Sequence, residues 1–338
     1  MTDRRSLTIS PGMILVTGGA GFIGSNLHAA LHERMVEVTI ADRLRETGKW
    51  RNLRKHPPAR LIGPDRIADY LGSDPPLQAI VHLGAISETT ATDGDLVWHS
   101  NVTLSQHLWH WCAVHNVPLI YASSASTYGD GSAGFDDAFD HAALRRLRPL
   151  NLYGWSKHAF DLWVAGECAS SRPRPPQWAG LKFFNVYGPN EYHKGAMISV
   201  VKVKHDEIAA GRPATLFRSD RPDLADGAQA RDFIWVDDVV AALLFLLDHP
   251  GVSGLFNLGT GTARSYADLA RAVCAANGVP ERIEFVPMPE RLAGQYQSFT
   301  QANMDRLRDA GFEHRFTTLE DGVTRYVTEF LKQSDPYR

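Results

Sequence analysis

The stretch Met13-Ile14-Leu15-Val16-Thr17-Gly18-Gly19-Ala20-Gly21-Phe22-Ile23-Gly24 decides the fold. Met13 to Thr17 reads as a short strand, glycines follow at positions 18, 21 and 24, and Ser25 to Glu33 continues with helical periodicity. In such a unit Gly18 permits a tight turn, Gly21 lets a pyrophosphate approach the backbone, and Gly24 lets the helix pack close to the sheet. The helix N-terminus then offers N–H groups and positive potential to phosphates. Glycines at this spacing also mark ordinary turns. Here the unit is answered by a second strand, Glu37 to Ala41, ending at Asp42, whose carboxylate is placed to accept from ribose hydroxyls. That context predicts a dinucleotide site. Asp42 favours NAD, whereas Arg43, Arg45, Lys49 and Arg51 offer partners for a 2′-phosphate, so NADP is the expected cofactor with NAD kept open.

Working outward, apolar runs at Ala79 to Leu83, Leu119 to Ala122 and Leu181 to Asn185 alternate with helical stretches around Val102 to His115 and Ser156 to Cys168. This alternation predicts an α/β fold, a Rossmann-like doubly wound parallel sheet covered by helices on both faces. Phe233 to Val236 and Leu255 to Leu258 read as further strands flanking a helix at Val239 to Leu247. After Asn185 the chain turns loop-rich to about Arg231, and again from Arg264, with Pro287, Pro289 and Gly294 as punctuation. The expected organisation is a dinucleotide-binding domain at 13–184 plus 232–260 and a smaller interleaved C-terminal substrate-binding lobe at 185–231 plus 261–338. Residues 1–12 lack the apolar core of a signal peptide and read as a loose extension or the product of an upstream start codon.

Composition narrows the partners. Of 338 residues 44% are apolar and 22% charged, and 35 Lys and Arg scattered against 38 Asp and Glu leave a net charge of −3. No electrostatic footprint for nucleic acid or an anionic membrane results, and a small molecule is the expected partner. Cys112, Cys168 and Cys274 lie far apart without a CxxC pair, which fits reduced thiols in the cytoplasm rather than a disulfide framework or a cysteine-rich metal site. The longest apolar stretch is about half of the roughly 20 residues a spanning helix requires. His107, His110 and His115 share one helix, but no carboxylate completes a catalytic metal pattern, so they read as packing and no metal is expected.

Tyr153-Gly154-Trp155-Ser156-Lys157 opens a helix, and its i, i+4 spacing puts Tyr153 and Lys157 on one face. A phenol is a poor base at neutral pH, but a neighbouring ammonium favours phenolate. YxxxK is common by chance; its place one helix after a strand ending in Ser123-Ser124 makes it informative.

With Ser123 to Gly129 and Phe184-Asn185-Val186-Tyr187-Gly188-Pro189 added, the chain from Met13 nearly to its end resembles the extended short-chain dehydrogenase/reductase family, many of whose members are epimerases or dehydratases of nucleotide sugars. The resemblance implies that Ser124 hydrogen-bonds the reacting hydroxyl, Tyr153 takes or gives its proton, and Lys157 supports both tyrosine and cofactor. It implies further cofactor contacts at Phe22, Ile23, Leu83, Gly84, Ala85, Asn101 and Val186, and substrate contacts at Ser87, Asn185 and Ala196. His193 to Met197, Arg231 to Phe233 and Gly294 to Ala302 are similar to the branch of that family that inverts C6 of an ADP-linked heptose destined for the lipopolysaccharide inner core. This chain departs from that branch: Asn190-Glu191-Tyr192 replaces Arg-Glu-Gly, Ala196 a serine, and Ala293-Gly294-Gln295 an Arg-Gly-Lys.

Inverting a carbinol carbon by oxidation and reduction places the hydroxyl proton differently in the two epimers, which calls for a second acid/base group. The resemblance puts Lys194 there, with desolvation and a nearby cation lowering its pKa; phosphate binding or simple solvation is the alternative. Arg231 is expected to clamp the diphosphate, and Phe217 and Tyr296 to line the nucleotide pocket, although packing in the small lobe explains both aromatics equally well. A homo-oligomer is implied, a pentamer being one option. Dehydration needs an acid pair beside Ser124, where Ala125-Ser126 stands, and a cysteine-dependent epimerase/reductase would carry its cysteine at Ala125. The alternatives kept are UDP-hexose 4-epimerisation and, from another class, a nicotinamide-binding regulator without chemistry.

Overall fold

The computed structural model describes residues 12–289 and 297–338. The extension before Gly12 and the substitutions at Ala293 and Gln295, together with Tyr296, lie outside the described residues. The strands are β1 Met13–Thr17, β2 Val38–Ala41, β3 Arg60–Ile62, β4 Leu77–His82, β5 Leu119–Ser124, β6 Trp178–Phe183, β7 Asn185–Tyr187, β8 Ala214–Phe217, β9 Ala230–Trp235, β10 Gly254–Leu258, β11 Ala263–Ser265 and β12 Ile283–Val286. Seven of them form one sheet in the order β3-β2-β1-β4-β5-β6-β10, with every neighbouring pair parallel. The order reverses between β1 and β4, and in open α/β sheets ligands bind off the carboxyl ends of the strands at that crevice.

Alternate side chains of one strand face opposite sides of a sheet, and a parallel sheet buries both. Ile14 and Val16 accordingly join one core with Leu27 and Leu31 of the helix Phe22–Glu33 and Val239 and Leu243 of the helix Val236–Asp248. Leu15 joins the other, with Leu108 and Trp109 of the helix Leu104–His115 and Phe160 and Val164 of the helix Leu152–Ala169. Two of the three histidines of the Leu104–His115 helix pack as aromatics, while His107 is exposed. His110 meets Trp163 edge-on at 5.3 Å between ring centres, and His115 stacks on Trp111 at 4.1 Å.

A second, smaller assembly contains the sheet β11-β9-β7 and the pair β12-β8. Its core is built from Tyr187, Phe233, Trp235, Leu269, Val273, Val323 and Tyr326. The apolar run read as Leu181 to Asn185 is split: β6 ends at Phe183 in the large sheet and β7 starts at Asn185 in the small one. β9, counted from residue 232 with the dinucleotide half, pairs with β7 and β11, because Phe233 and Trp235 are buried against Tyr187 and Tyr326. The helix Val236–Asp248 and β10 then return to the large sheet. Among the described residues no helix is long and apolar enough to cross a membrane, and no group of three or more His, Cys, Asp or Glu is arranged to hold a metal.

A fully buried ion pair ties the large sheet to its helix. Lys182 of β6 donates to Asp161 of the Leu152–Ala169 helix at 2.9 Å, and both side chains are completely inaccessible. The same carboxylate oxygen of Asp161 accepts from the Ser123 hydroxyl at 2.7 Å, and the ammonium also donates to Thr127 Oγ1 at 2.6 Å. Lys182→Met would leave Asp161 as an unpaired buried charge, a loss of about 3–5 kcal/mol. Thermal unfolding of the purified variant checks this, and an unfolding midpoint equal to that of the parent protein would contradict it.

Candidate active site

The site is built first from backbone. Gly18 follows β1 with φ +68°, and a Cβ there would lie 2.6 Å from the Gly84 nitrogen, so the loops after β1 and β4 touch main chain to main chain. At Gly24 a Cβ would fall 2.3 Å from the Gly18 carbonyl oxygen and 2.7 Å from the Gly19 Cα. The third glycine therefore seats the helix against its own loop rather than against the sheet. A Cβ at Gly21 would make one tight contact, with the Gly18 carbonyl at 3.0 Å. No side chain caps the helix at Gly21, which leaves the first-turn N–H groups at Phe22 and Ile23 for an anion. This open, uncapped cradle fits a dinucleotide pyrophosphate.

Asp42 stands at the end of β2, but its carboxylate is already engaged. One oxygen accepts from the Ala20 N–H at 2.9 Å, the other from the Arg43 N–H at 2.7 Å and from Lys49 Nζ at 2.6 Å. Arg43 and Arg45 are exposed beside it. On the other side of the switch point Leu83, Gly84 and Ala85 continue from β4, with Leu83 N donating to the Thr17 carbonyl at 3.1 Å and Gly84 N to the Thr17 hydroxyl at 3.0 Å. Asn101 is fully buried in a π-helical turn, His99–Thr103; its amide is taken up by the Ile86 backbone and the Ser156 hydroxyl. It therefore bears on the cofactor site through the Leu83–Ile86 segment.

Ser124 ends β5 and Tyr153 sits in the first turn of the helix Leu152–Ala169, whose start is capped by Asn151 Oδ1 accepting from Gly154 N at 2.8 Å. The chain brings Ser124 and Tyr153 into a side-chain hydrogen bond. Burial raises the phenol above its ordinary pKa, with the Ser124 bond pulling it down and the Asp161 charge adding to the rise. Burial also brings Lys157 down to about 8, against the Asp161 carboxylate one turn further on, which raises it. At neutral pH Lys157 is predominantly the ammonium.

Lys194 lies at the end of a loop held by the large domain. Asn26 Nδ2 donates to the Pro189 carbonyl at 2.9 Å, Asn52 Nδ2 to the Asn190 carbonyl at 3.0 Å, and Asn190 Nδ2 to the Ser25 hydroxyl at 3.0 Å. The Lys194 ammonium sits 5.2 Å from the centre of the Phe22 ring, beside the helix start. Burial lowers its pKa as expected, but the neighbouring charge acting on it is the Glu191 carboxylate, which raises it, rather than a second cation. Glu191 is itself buried, accepting from Ser199 and from the Tyr326 hydroxyl.

The other expected substrate contacts are spread more widely. Ser87, Asn185 and Ala196 are exposed, Val186 and Phe217 half-buried. Arg231 is buried in β9 and donates to the Ala230 and Gln297 carbonyls, with its guanidinium 5.6 Å from the Tyr266 ring centre. Two of the departures from the branch pattern have a structural account. Asn190 adopts φ +73°, a conformation asparagine tolerates, and its amide is used for anchoring; the Tyr192 hydroxyl donates to the Pro336 carbonyl at 2.8 Å. Sequence reading missed Asn26, Asn52 and Glu191. Only the bonds of Asn26 and Asn52 to the Lys194 loop, and those of Glu191 to Ser199 and Tyr326, reveal them.

Residues 14–259 match the model of the NAD dependent epimerase/dehydratase family. The chain is 48% identical over 329 residues to an ADP-L-glycero-D-manno-heptose-6-epimerase of Nitratidesulfovibrio vulgaris, covering 96% of this chain and 100% of that protein. The crystal structure of the Helicobacter pylori ADP-L-glycero-D-manno-heptose-6-epimerase superposes with a TM-score of 0.76 at 27% identity, covering 94% of this chain and 96% of that one. The Thermus thermophilus UDP-glucose 4-epimerase in complex with NAD superposes with a TM-score of 0.70 at 26% identity, covering 92% and 96%. The chain belongs to the NAD dependent epimerase/dehydratase family.

Proposed function

We propose that this protein interconverts the C6 epimers of ADP-glycero-manno-heptose, D-glycero to L-glycero, by transient oxidation and re-reduction. The observation that carries this reading is the near-full-length match to the heptose epimerases, joined to the complete set Ser124, Tyr153, Lys157 and Lys194. A nicotinamide dinucleotide bound at the glycine loop would accept hydride from C6 and return it to the opposite face.

The chain's own groups handle the proton. Ser124 holds the reacting oxygen, and Tyr153, with the Lys157 ammonium beside it on the same helical face, takes or gives the proton for one epimer. Lys194 serves the other, from the loop that Asn26 and Asn52 anchor over the helix start. Arg231 is the proposed partner of the diphosphate, exchanging its carbonyl contacts for phosphate oxygens. Tyr153→Phe and Lys194→Met should each lower kcat by about 10²–10⁴-fold with folding and cofactor content retained. NMR of ADP-heptose turnover reads this, and near-normal rates in both variants would sink the assignment. Incubation with UDP-galactose in parallel separates this reading from UDP-hexose 4-epimerisation.

NADP is the proposed form of the cofactor. Asp42 already accepts from Ala20, Arg43 and Lys49, which leaves it little capacity for ribose hydroxyls, while the exposed Arg43 can meet a 2′-phosphate and Lys49 could exchange its Asp42 contact for one. Mass spectrometry of cofactor released from the purified protein should give NADP; release of NAD alone would refute the choice.

A further inference from the structure

A continuous line of buried hydrogen bonds runs from the end of β1 to the backbone of Tyr153. Gly84 N donates to Thr17 Oγ1 at 3.0 Å, Thr17 Oγ1 meets His82 Nδ1 at 2.7 Å, and His82 Nε2 meets Ser105 Oγ at 2.9 Å. Ser105 Oγ donates to the Asn101 carbonyl at 2.7 Å. The Asn101 amide accepts from Ile86 N at 2.8 Å and donates to the Ile86 carbonyl at 2.9 Å and to Ser156 Oγ at 3.0 Å. Ser156 Oγ donates to the Tyr153 carbonyl at 2.7 Å. Thr17, His82, Asn101, Ser105 and Ser156 are each at most 2% exposed.

The network fixes where its protons lie. The single Ser105 hydroxyl proton goes to the Asn101 carbonyl, so Ser105 Oγ must accept from the imidazole, which places a proton on His82 Nε2. Burial pulls His82 down to about 3, with the Lys157 ammonium as the charge that also disfavours a second proton. Nδ1 is therefore bare and accepts from the Thr17 hydroxyl, whose lone pairs are then free for the Gly84 N–H. Every donor has an acceptor in this one arrangement; the opposite tautomer would oppose a bare Nε2 to the Ser105 oxygen.

We infer that His82 is a positioning residue: as the neutral Nε2–H imidazole it holds the Leu83–Ile86 segment and, through Ser105, Asn101 and Ser156, the helical turn bearing Tyr153 in a single register. The inference rests on the reading of Tyr153 as the acid/base group. Its consequence is kinetic, because proton and hydride transfer are steep in distance and small displacements of a catalytic group are costly. The arrangement explains why a polar residue with no reach to the substrate sits inside the apolar strand β4.

Ser105→Ala removes the acceptor of the Nε2–H without touching the catalytic groups. It should lower kcat for ADP-heptose by about 10-fold with KM changed less than twofold and bound dinucleotide unchanged, and Ser105→Thr should restore most of the rate. In parallel, ¹⁵N NMR of histidine-labelled holoprotein, with His82 assigned by its disappearance in His82→Asn, should show a ring protonated at Nε2 that does not titrate between pH 8 and 5. A kcat for Ser105→Ala within twofold of the parent, an Nδ1–H tautomer, or a His82 midpoint above pH 5 would each overturn the inference. If the parent protein fails to turn over ADP-heptose, the functional reading falls, and the NMR measurement still decides the state of His82.

Discussion

The geometry of the active site depends on the ion pair between Asp161 and Lys182. Two charges completely removed from water are tolerated only with good geometry and added hydrogen bonds; here Thr127 takes a second ammonium proton at 2.6 Å, and Ser123 donates at 2.7 Å to the same Asp161 oxygen as the ammonium. These partners come from β5, from the turn after it and from β6, so the helix Leu152–Ala169 can lie at only one depth and rotation over the sheet. Tyr153, Lys157 and Asp161 follow one another at i, i+4 and i+8 on one face of that helix. Pinning Asp161 against β5 and β6 therefore also fixes Lys157 and Tyr153, with Tyr153 at Ser124, the neighbour of Ser123. The same carboxylate raises Lys157 against the effect of burial and keeps it charged at neutral pH.

What could be read from the sequence was local. The strand, glycine loop and helix, Asp42, and the Tyr153/Lys157 pair all declare themselves within windows of a few residues, because turn geometry and helical periodicity act at that range. The Asp161–Lys182 pair joins residues 21 apart on different elements, and in the sequence each is simply a charged residue in an amphipathic helix or at the end of an apolar run. His82 is hidden in the same way, as one polar letter in Ala79 to Leu83. β3 escaped notice because Arg60 and Leu61 are exposed and carry no burial pattern. In the sequence Asn190 is only a departure from the branch pattern; the backbone, with φ +73°, and the bond to Ser25 show it to be an anchor.

The two halves of the molecule are consequently less separate than a division by residue number suggests. Lys194 is carried by the loop that leads out of β7, yet the bonds that fix that loop come from Ser25, Asn26 and Asn52 of the dinucleotide half. The chain's last residues close the arrangement from outside, Arg338 N donating to Asn190 Oδ1 at 3.0 Å and Tyr192 reaching the Pro336 carbonyl. The proposed acid/base group Lys194 is thus registered to the glycine loop and helix start that form the proposed dinucleotide cradle.

Desolvation gives the two proposed acid/base groups complementary resting states. It disfavours whichever form is charged: for the Tyr153 phenol this is the anion, so burial raises the pKa and the group rests with its proton; for Lys194 it is the cation, so burial lowers the pKa toward the proton-free amine. A neighbouring group moderates each shift, although the Asp161 charge adds to the rise at Tyr153. The Ser124 bond makes the phenol easier to ionise, and Glu191 keeps the amine from losing its affinity for a proton. An epimerase that must remove a hydroxyl proton on one face and supply one on the other requires two such groups that each change state readily. Burial thus moves the phenol and the amine in opposite directions, leaving one group holding its proton more tightly and the other less tightly than in water.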